Sequence, residues 1–295
     1  MKTLTIFTPT YNRAHTLNRT YQSLCQQTCK DFEWMIVDDG STDNTYNLVQ
    51  GWIADEIIPI HYIYQENGGL YTGYNAAYTA ITTELNVCVD SDDWMPENAV
   101  ALIVNTWYQR GANRFAGIIG LDFSIKDKLP IGGKFPDNLK ECYFLDLYTH
   151  RIHRGDSKQV MRTDLMRQVA PQIGFPGEKN FNPVYMLLQV CDRYPLLVLN
   201  ENLCWVDYQP DDSMSHHIFR QYMDSPRSFA KMRLLEMQLK HNTMSNKFRS
   251  AIHYVSSCIL AKDDKWLKQS PYKLLTITVA PLGWILSIYI RHKAC

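Results

Sequence analysis

Four short apolar runs, at residues 3–8, 33–37, 60–64 and 86–89, alternate with segments whose apolar residues recur at helical spacing. Such alternation specifies an α/β fold around a mostly parallel sheet, because parallel neighbours need a crossover and the helix supplies it. The first helical stripe, at 15–27, carries Leu17, Tyr21 and Leu24. The second carries Leu48, Val49, Trp52 and Ile53, with Thr42 or Asp43 as its cap. A third spans 71–83 and opens after Gly68-Gly69. The fourth starts at Pro96-Glu97 and buries Val100, Ile103, Val104 and Trp107. A further strand is expected at 116–123. Beyond Lys126 the pattern loosens into a loop marked by Pro130, Gly132, Gly133 and Pro136, followed by helices at 163–169, 183–191 and 225–240.

At 295 residues the chain can bury one large core with an appendage. Its 30 basic and 30 acidic side chains cancel, so no global positive field draws it onto nucleic acid. The 8 cysteines are scattered without a Cys-x-x-Cys pair, the pattern of reduced thiols in the cytoplasm. Residues 1–7 are too short and too threonine-rich for a signal segment and read as the first strand.

Three polar clusters close predicted strands: Thr8-Pro9-Thr10-Tyr11-Asn12-Arg13, Asp38-Asp39-Gly40-Ser41-Thr42-Asp43 and Asp90-Ser91-Asp92-Asp93. In open parallel sheets ligands bind beyond the carboxyl ends of the strands, where these loops converge. Asp90 and Asp92, two apart on extended backbone, can face one hard cation, Mg2+ or Mn2+, or its phosphates. Asp38 or Asp39, on an earlier strand, suits a base N–H or ribose hydroxyls. A lone Asp-x-Asp is an ordinary solvated turn and Asp-Gly-Ser an ordinary helix cap. Three such clusters in order are far more specific.

On these motifs residues 3–123 resemble glycosyltransferase family 2, with a weaker match through Gly155-Asp156-Ser157-Lys158, Phe175-Pro176-Gly177-Glu178-Lys179 and 208–215. The weaker stretches resemble a bacterial subgroup that decorates surface polysaccharides. The resemblance implies a GT-A, Rossmann-like, mostly parallel sheet flanked by helices, with a helical C-terminal extension. Residues 1–125 would form the nucleotide-sugar half, 126–220 the acceptor half of the same domain, and 221–295 the extension. It implies inverting transfer from a nucleotide diphosphate sugar, with uridine diphosphate the expected carrier, to a glycan or lipid-linked acceptor. Thr8, Pro9, Tyr11, Arg13, Asp39 and Asn67 would line the donor pocket with Asp90, Ser91 and Asp92, while Asp92, Asp93 and His216 would hold Mn2+ or Mg2+. Two departures stand out: Tyr74 precedes Asn75 where the family often has a basic residue, and Val184 follows Pro183 where the subgroup carries an acid.

A general base must reach the acceptor hydroxyl. Glu178, in a loop bounded by Pro176 and Pro183, is preferred to Asp156, with Asp192 a distant third. His216 or His217 is expected to complete the metal shell or to lie in a surface loop. Trp205 and Tyr208 would stack on an acceptor sugar or pack as rim aromatics. Residues 274–290 are apolar, broken by Pro281 and Gly283, and flanked by Lys273, Arg291, His292 and Lys293. They are short for a span, so two readings stay open: a helix on the enzyme's own core, or peripheral contact with the inner face of the plasma membrane by a cytoplasmic protein. A nucleotidyltransferase would want a glycine-rich basic loop after the first strand, which Thr-Pro-Thr-Tyr-Asn-Arg is not. A non-catalytic sugar-nucleotide module is the other alternative.

Overall fold

The computed structural model describes residues 2–207 and 218–294. Its elements run β1 (Leu4–Thr10), α1 (Ala14–Cys25), β2 (Phe32–Asp38), α2 (Thr45–Asp55), β3 (Ile60–Tyr64), α3 (Leu70–Ala80), β4 (Leu85–Cys88), α4 (Ala99–Arg110) and β5 (Gly117–Ser124). There follow β6 (Glu141–Cys142), α5 (Phe144–Thr149), β7 (Ser157–Arg162), α6 (Thr163–Val169), α7 (Val184–Cys191) and β8 (Leu196–Val206). The last stretch is helical: α8 (Ile218–Asp224), α9 (Pro226–Gln238), α10 (Met244–Leu260), α11 (Trp266–Gln269) and α12 (Lys273–Ala294).

Eight strands form one sheet in the order β3-β2-β1-β4-β7-β5-β8-β6. Six share a direction, while β7 runs against β4 and β5, and β6 against β8. The expected mostly parallel α/β sheet is therefore present. Alternation along β1 and β2 sends Ile6 and Trp34 to one face and Phe7 and Met35 to the other, so each face seeds its own core. On the first face Tyr21 stacks on Trp52 at 4.3 Å between ring centres, and Trp34 lies 5.7 Å from Trp52. A third apolar cluster, built on Met237, Tyr254, Val255 and Val279, holds α9, α10 and α12 together.

The inserted strand β7 matters most for the site. Because it is antiparallel, its first residues lie at the edge where the parallel strands end. Its pairing with β4 runs Leu85↔Arg162, Asn86↔Met161, Val87↔Val160, and with β5 it reaches Leu121↔Ser157. Continued at constant register, Asp156 falls level with Ser91 on one side and Asp122 on the other.

Candidate active site

Thr10 and Asp38 are register partners at the ends of β1 and β2, which brings the two following loops together. Asn12, at φ 53°, takes the left-handed turn that asparagine tolerates. Its Oδ1 accepts from the Thr42 amide at 2.8 Å, and its own amide donates to Ser41 Oγ at 2.8 Å. The Ala14 amide donates to Asp43 Oδ2 at 3.0 Å. Burial works to raise the Asp43 pKa, yet hydrogen bonds from Thr45 and Ala14 hold the carboxyl below its usual range.

Several of the residues expected at the donor also make contacts within the protein. Thr8 is fully buried and its hydroxyl accepts from Trp34 Nε1 at 3.0 Å, because it points into the core from the middle of β1. Pro9 is buried beside Gly73. Tyr11 is exposed and Arg13 half-buried, so these two carry the first loop to the surface. The buried Asp39 carboxylate accepts from Gln65 Nε2 (2.7 Å) and the amides of Gly68 (3.0 Å) and Gly69 (2.9 Å). It thus ties down the turn that opens α3. Gly69 adopts φ 95°, and a Cβ there would lie 2.3 Å from the Lys179 carbonyl oxygen, so only glycine fits. Asn67 donates to the Asp39 carbonyl at 2.8 Å and accepts from Lys179 Nζ at 2.6 Å.

In the turn after β4 the Asp93 amide donates to the Asp90 carbonyl at 3.0 Å, which splits the carboxylates between two environments. Asp90 is exposed, Asp92 half-buried, and Ser91 and Asp93 buried. Arg19 braces the turn from α1 by donating to the Asp92 carbonyl at 2.7 Å, while its guanidinium lies 4.1 Å from the Trp94 ring centre. Burial, then the charge of Asp90, raises the Asp92 pKa, against the pull of Arg13 and Arg19. Asp93 turns inward: its Oδ2 lies 3.9 Å from Lys158 Nζ, which is 3.7 Å from Asp122 Oδ1, all three groups being buried. Burial raises both carboxyls, and the lysine charge pulls them back. Asp93, expected among the metal ligands, thus sits beside Lys158 beneath the turn, whereas Asp90 and Asp92 stay at the open edge.

A divalent ion fits what remains. Asp90 and Asp92 are hard oxygen donors at an open edge, and among the described residues no three acidic, histidine or cysteine side chains converge on one point. Two carboxylates with phosphate and water oxygens filling the other positions is a common arrangement for Mg2+ or Mn2+. His216 and Tyr208 lie outside the described residues.

Glu178 is buried. Its Oε1 accepts from the amide (3.1 Å) and Nε (3.0 Å) of Arg227, and its Oε2 from the amide and hydroxyl of Ser228, both at 2.7 Å. The side chain is buried at the N-terminus of α9, where a carboxylate satisfies the first amides and the helix dipole. Asp156 is the more open of the two candidate bases. Asp156 is exposed at the head of β7, and its charge and that of Asp90 both act on Asp122, which sets both at the same edge. Asp192 accepts from the His241 amide at 3.1 Å behind α7. Lys158, Asp122 and Arg19 received no role from the sequence. A lone aspartate in the apolar run of β5 was the available signal for the buried ion cluster.

Compared with known families, residues 5–157 match the model described as glycosyl transferase family 2, a stretch that contains all three loops and Asp156. The chain belongs to glycosyl transferase family 2. Family relatives include an uncharacterized glycosyltransferase of Nostoc sp., 36% identical over 104 residues, covering 34% of this chain and 31% of the relative. Another is the teichoic acid poly(glycerol phosphate) polymerase of Staphylococcus epidermidis, 28% identical over 176 residues, covering 59% and 22% respectively. The matched stretches thus span less than a third of these relatives. Among solved structures, S. aureus TarS in complex with UDP-GlcNAc superimposes with a TM-score of 0.63 at 16% identity, over 100% of this chain and 88% of that one. The Pyrobaculum calidifontis mannosyltransferase PcManGT, with GDP-Man and Mn2+, follows at a TM-score of 0.54, 14% identity and coverage of 97% and 87%. At such identities the likeness is one of fold, and it identifies this family 2 sheet as GT-A.

Proposed function

We propose that this chain transfers a sugar, with inversion, from a nucleoside diphosphate donor to a hydroxyl of a glycan or lipid-linked acceptor in bacterial surface-polysaccharide synthesis. Uridine is the expected base, in keeping with the UDP-GlcNAc held by TarS. The observation that carries the reading is the convergence of three polar loops with the head of β7 on one sheet edge.

On this reading the nucleoside lies along Tyr11 and Arg13, on a floor fixed by Asp39, Asn67 and Gly69. Asp90 meets the ribose or the ion, and Asp92 with Asp90 would hold Mn2+ or Mg2+, in keeping with the Mn2+ of PcManGT. When bound, the ion supplies Lewis-acid stabilisation of charge on the departing diphosphate. Arg13 and Arg19 add positive charge beside Asp92. Asp156 is the general base: its carboxylate accepts the acceptor hydroxyl proton as the oxygen attacks the anomeric carbon opposite the diphosphate. Four donors on Glu178 favour Asp156 over it. Residues 126–220 supply most acceptor contacts, and the cytoplasm supplies the nucleotide sugar.

The test is turnover. With Mn2+ present, a panel of UDP- and GDP-sugars should include one donor that releases its nucleoside diphosphate, in a reaction stopped by EDTA. Donor binding across the panel with no release, whatever the acceptor glycan offered, would favour the non-catalytic module.

A further inference from the structure

Helix α12 is built inside out. Its buried residues are Thr276, Val279, Gly283, Ser287 and Ile290, mostly small or hydroxylic, and they pack on α10. The approach is close: a Cβ on Gly283 would lie 2.6 Å from Val255 Cβ. The large apolar residues face outward, with Leu274 83%, Ile277 50%, Trp284 58% and Ile285 57% exposed, joined by Leu282 and Ile288, while Tyr289 stands edge-on to Phe219 of α8 at 5.6 Å. From Leu274 to Tyr289 this outer face carries no charge and extends about 22 Å at 1.5 Å per residue. A water-facing helix normally shows the reverse arrangement, so the stripe calls for a partner.

The charges flanking it name the partner. Lys273 precedes the stripe, and Arg291, His292 and Lys293 follow it, all exposed. Basic ends on an apolar face with Trp and Tyr match an anionic lipid surface. By length and composition α12 is able to cross a membrane. Its packing argues otherwise, because α10 runs alongside it and carries Lys247, Arg249 and His253, which cannot follow into hydrocarbon. Only the outer face is available.

We infer that α12 lies flat in the headgroup region of an anionic bilayer, with Leu274, Ile277, Leu282, Trp284, Ile285 and Ile288 in the upper acyl chains. The inference rests on the membrane-linked acceptor reading for its purpose only, since vesicle binding requires neither donor nor turnover. The test is co-sedimentation of the full chain with phosphatidylcholine vesicles, with and without phosphatidylglycerol. Binding should need the anionic lipid and should fall at least about tenfold in Ile277→Glu/Ile285→Glu, whose melting temperature stays unchanged because both positions face out. Arg291→Gln/Lys293→Gln should weaken binding and reduce its salt dependence. Trp284 stands near the helix midpoint, so brominated lipids distinguish the orientations. Trp284-dependent quenching, taken as wild type minus Trp284→Phe, should be strongest with bromine near the headgroup. Strongest quenching by bromine at the acyl-chain end would mean a span and overturn the flat placement. No binding to anionic vesicles would overturn it too, as would a dimer in solution that Ile277→Glu/Ile285→Glu dissociates.

Discussion

Replacing Asp156 with asparagine should lower turnover by about 10²- to 10⁴-fold, the usual contribution of a positioned general base, while nucleotide affinity stays within about a factor of two. Asp156 is exposed at the head of an antiparallel strand inserted between β4 and β5, level with Ser91 and Asp122. Asparagine keeps its size and removes the charge and the capacity to take a proton. Glu178→Gln should behave in the opposite way. Its four accepted hydrogen bonds hold the start of α9, so the amide should cost about 1–3 kcal/mol of stability and spare turnover per folded molecule. Steady-state kinetics beside thermal melts separate the two. A Glu178→Gln protein that melts normally but does not turn over would return the base to Glu178.

Lys158→Met should be the most damaging single change to the fold. The ammonium group lies between Asp93 and Asp122, at 3.9 and 3.7 Å, and methionine removes the counter-charge that both buried acids face. Breaking a buried ion pair from one side costs about 3–5 kcal/mol, a large share of the 5–15 kcal/mol that holds a typical domain folded. The pH dependence has a definite sign. A carboxyl whose folded pKa lies above its unfolded value favours the folded state below that pKa and loses the benefit as pH rises through it. Both carboxyls are raised by burial, so the deficit of Lys158→Met in urea denaturation should shrink as pH falls. Lys158→Met/Asp122→Asn should recover part of the loss at neutral pH. A loss under about 1 kcal/mol would show that the cluster is solvated.

The first half of the chain was legible because its strands are short apolar runs and its helices keep a clean stripe. The residues 60–64 predicted as a strand are β3, and the runs before and after it lie within a residue or two of β1, β2 and β4. The loops were legible because each polar cluster follows an apolar strand. What each aspartate does was not, because side chains one residue apart in a turn part company: Asp92 stays at the edge while Asp93 goes under it. The surroundings of Glu178 were not legible for a different reason. Its partners, Arg227 and Ser228, are about fifty residues away, and local sequence shows only a charged residue between prolines. β7 escaped notice because Ser157-Lys158-Gln159 buries a lysine where a strand pattern calls for an apolar residue. Asn200, Glu201 and Asn202 break the run of β8, beside the register shifts in its pairing with β5. For α12 composition revealed an apolar helix, but only packing against α10 tells which side is out.

The most direct test of the account is calorimetric titration of UDP, with and without Mn2+, into the wild type and Asp92→Ala. The wild type should bind UDP in a Mn2+-dependent way, and the variant should lose that dependence while melting at the same temperature, since Asp92 lies half-exposed at the sheet edge. Unchanged Mn2+-dependent binding by Asp92→Ala would contradict the assignment of this edge as the donor site.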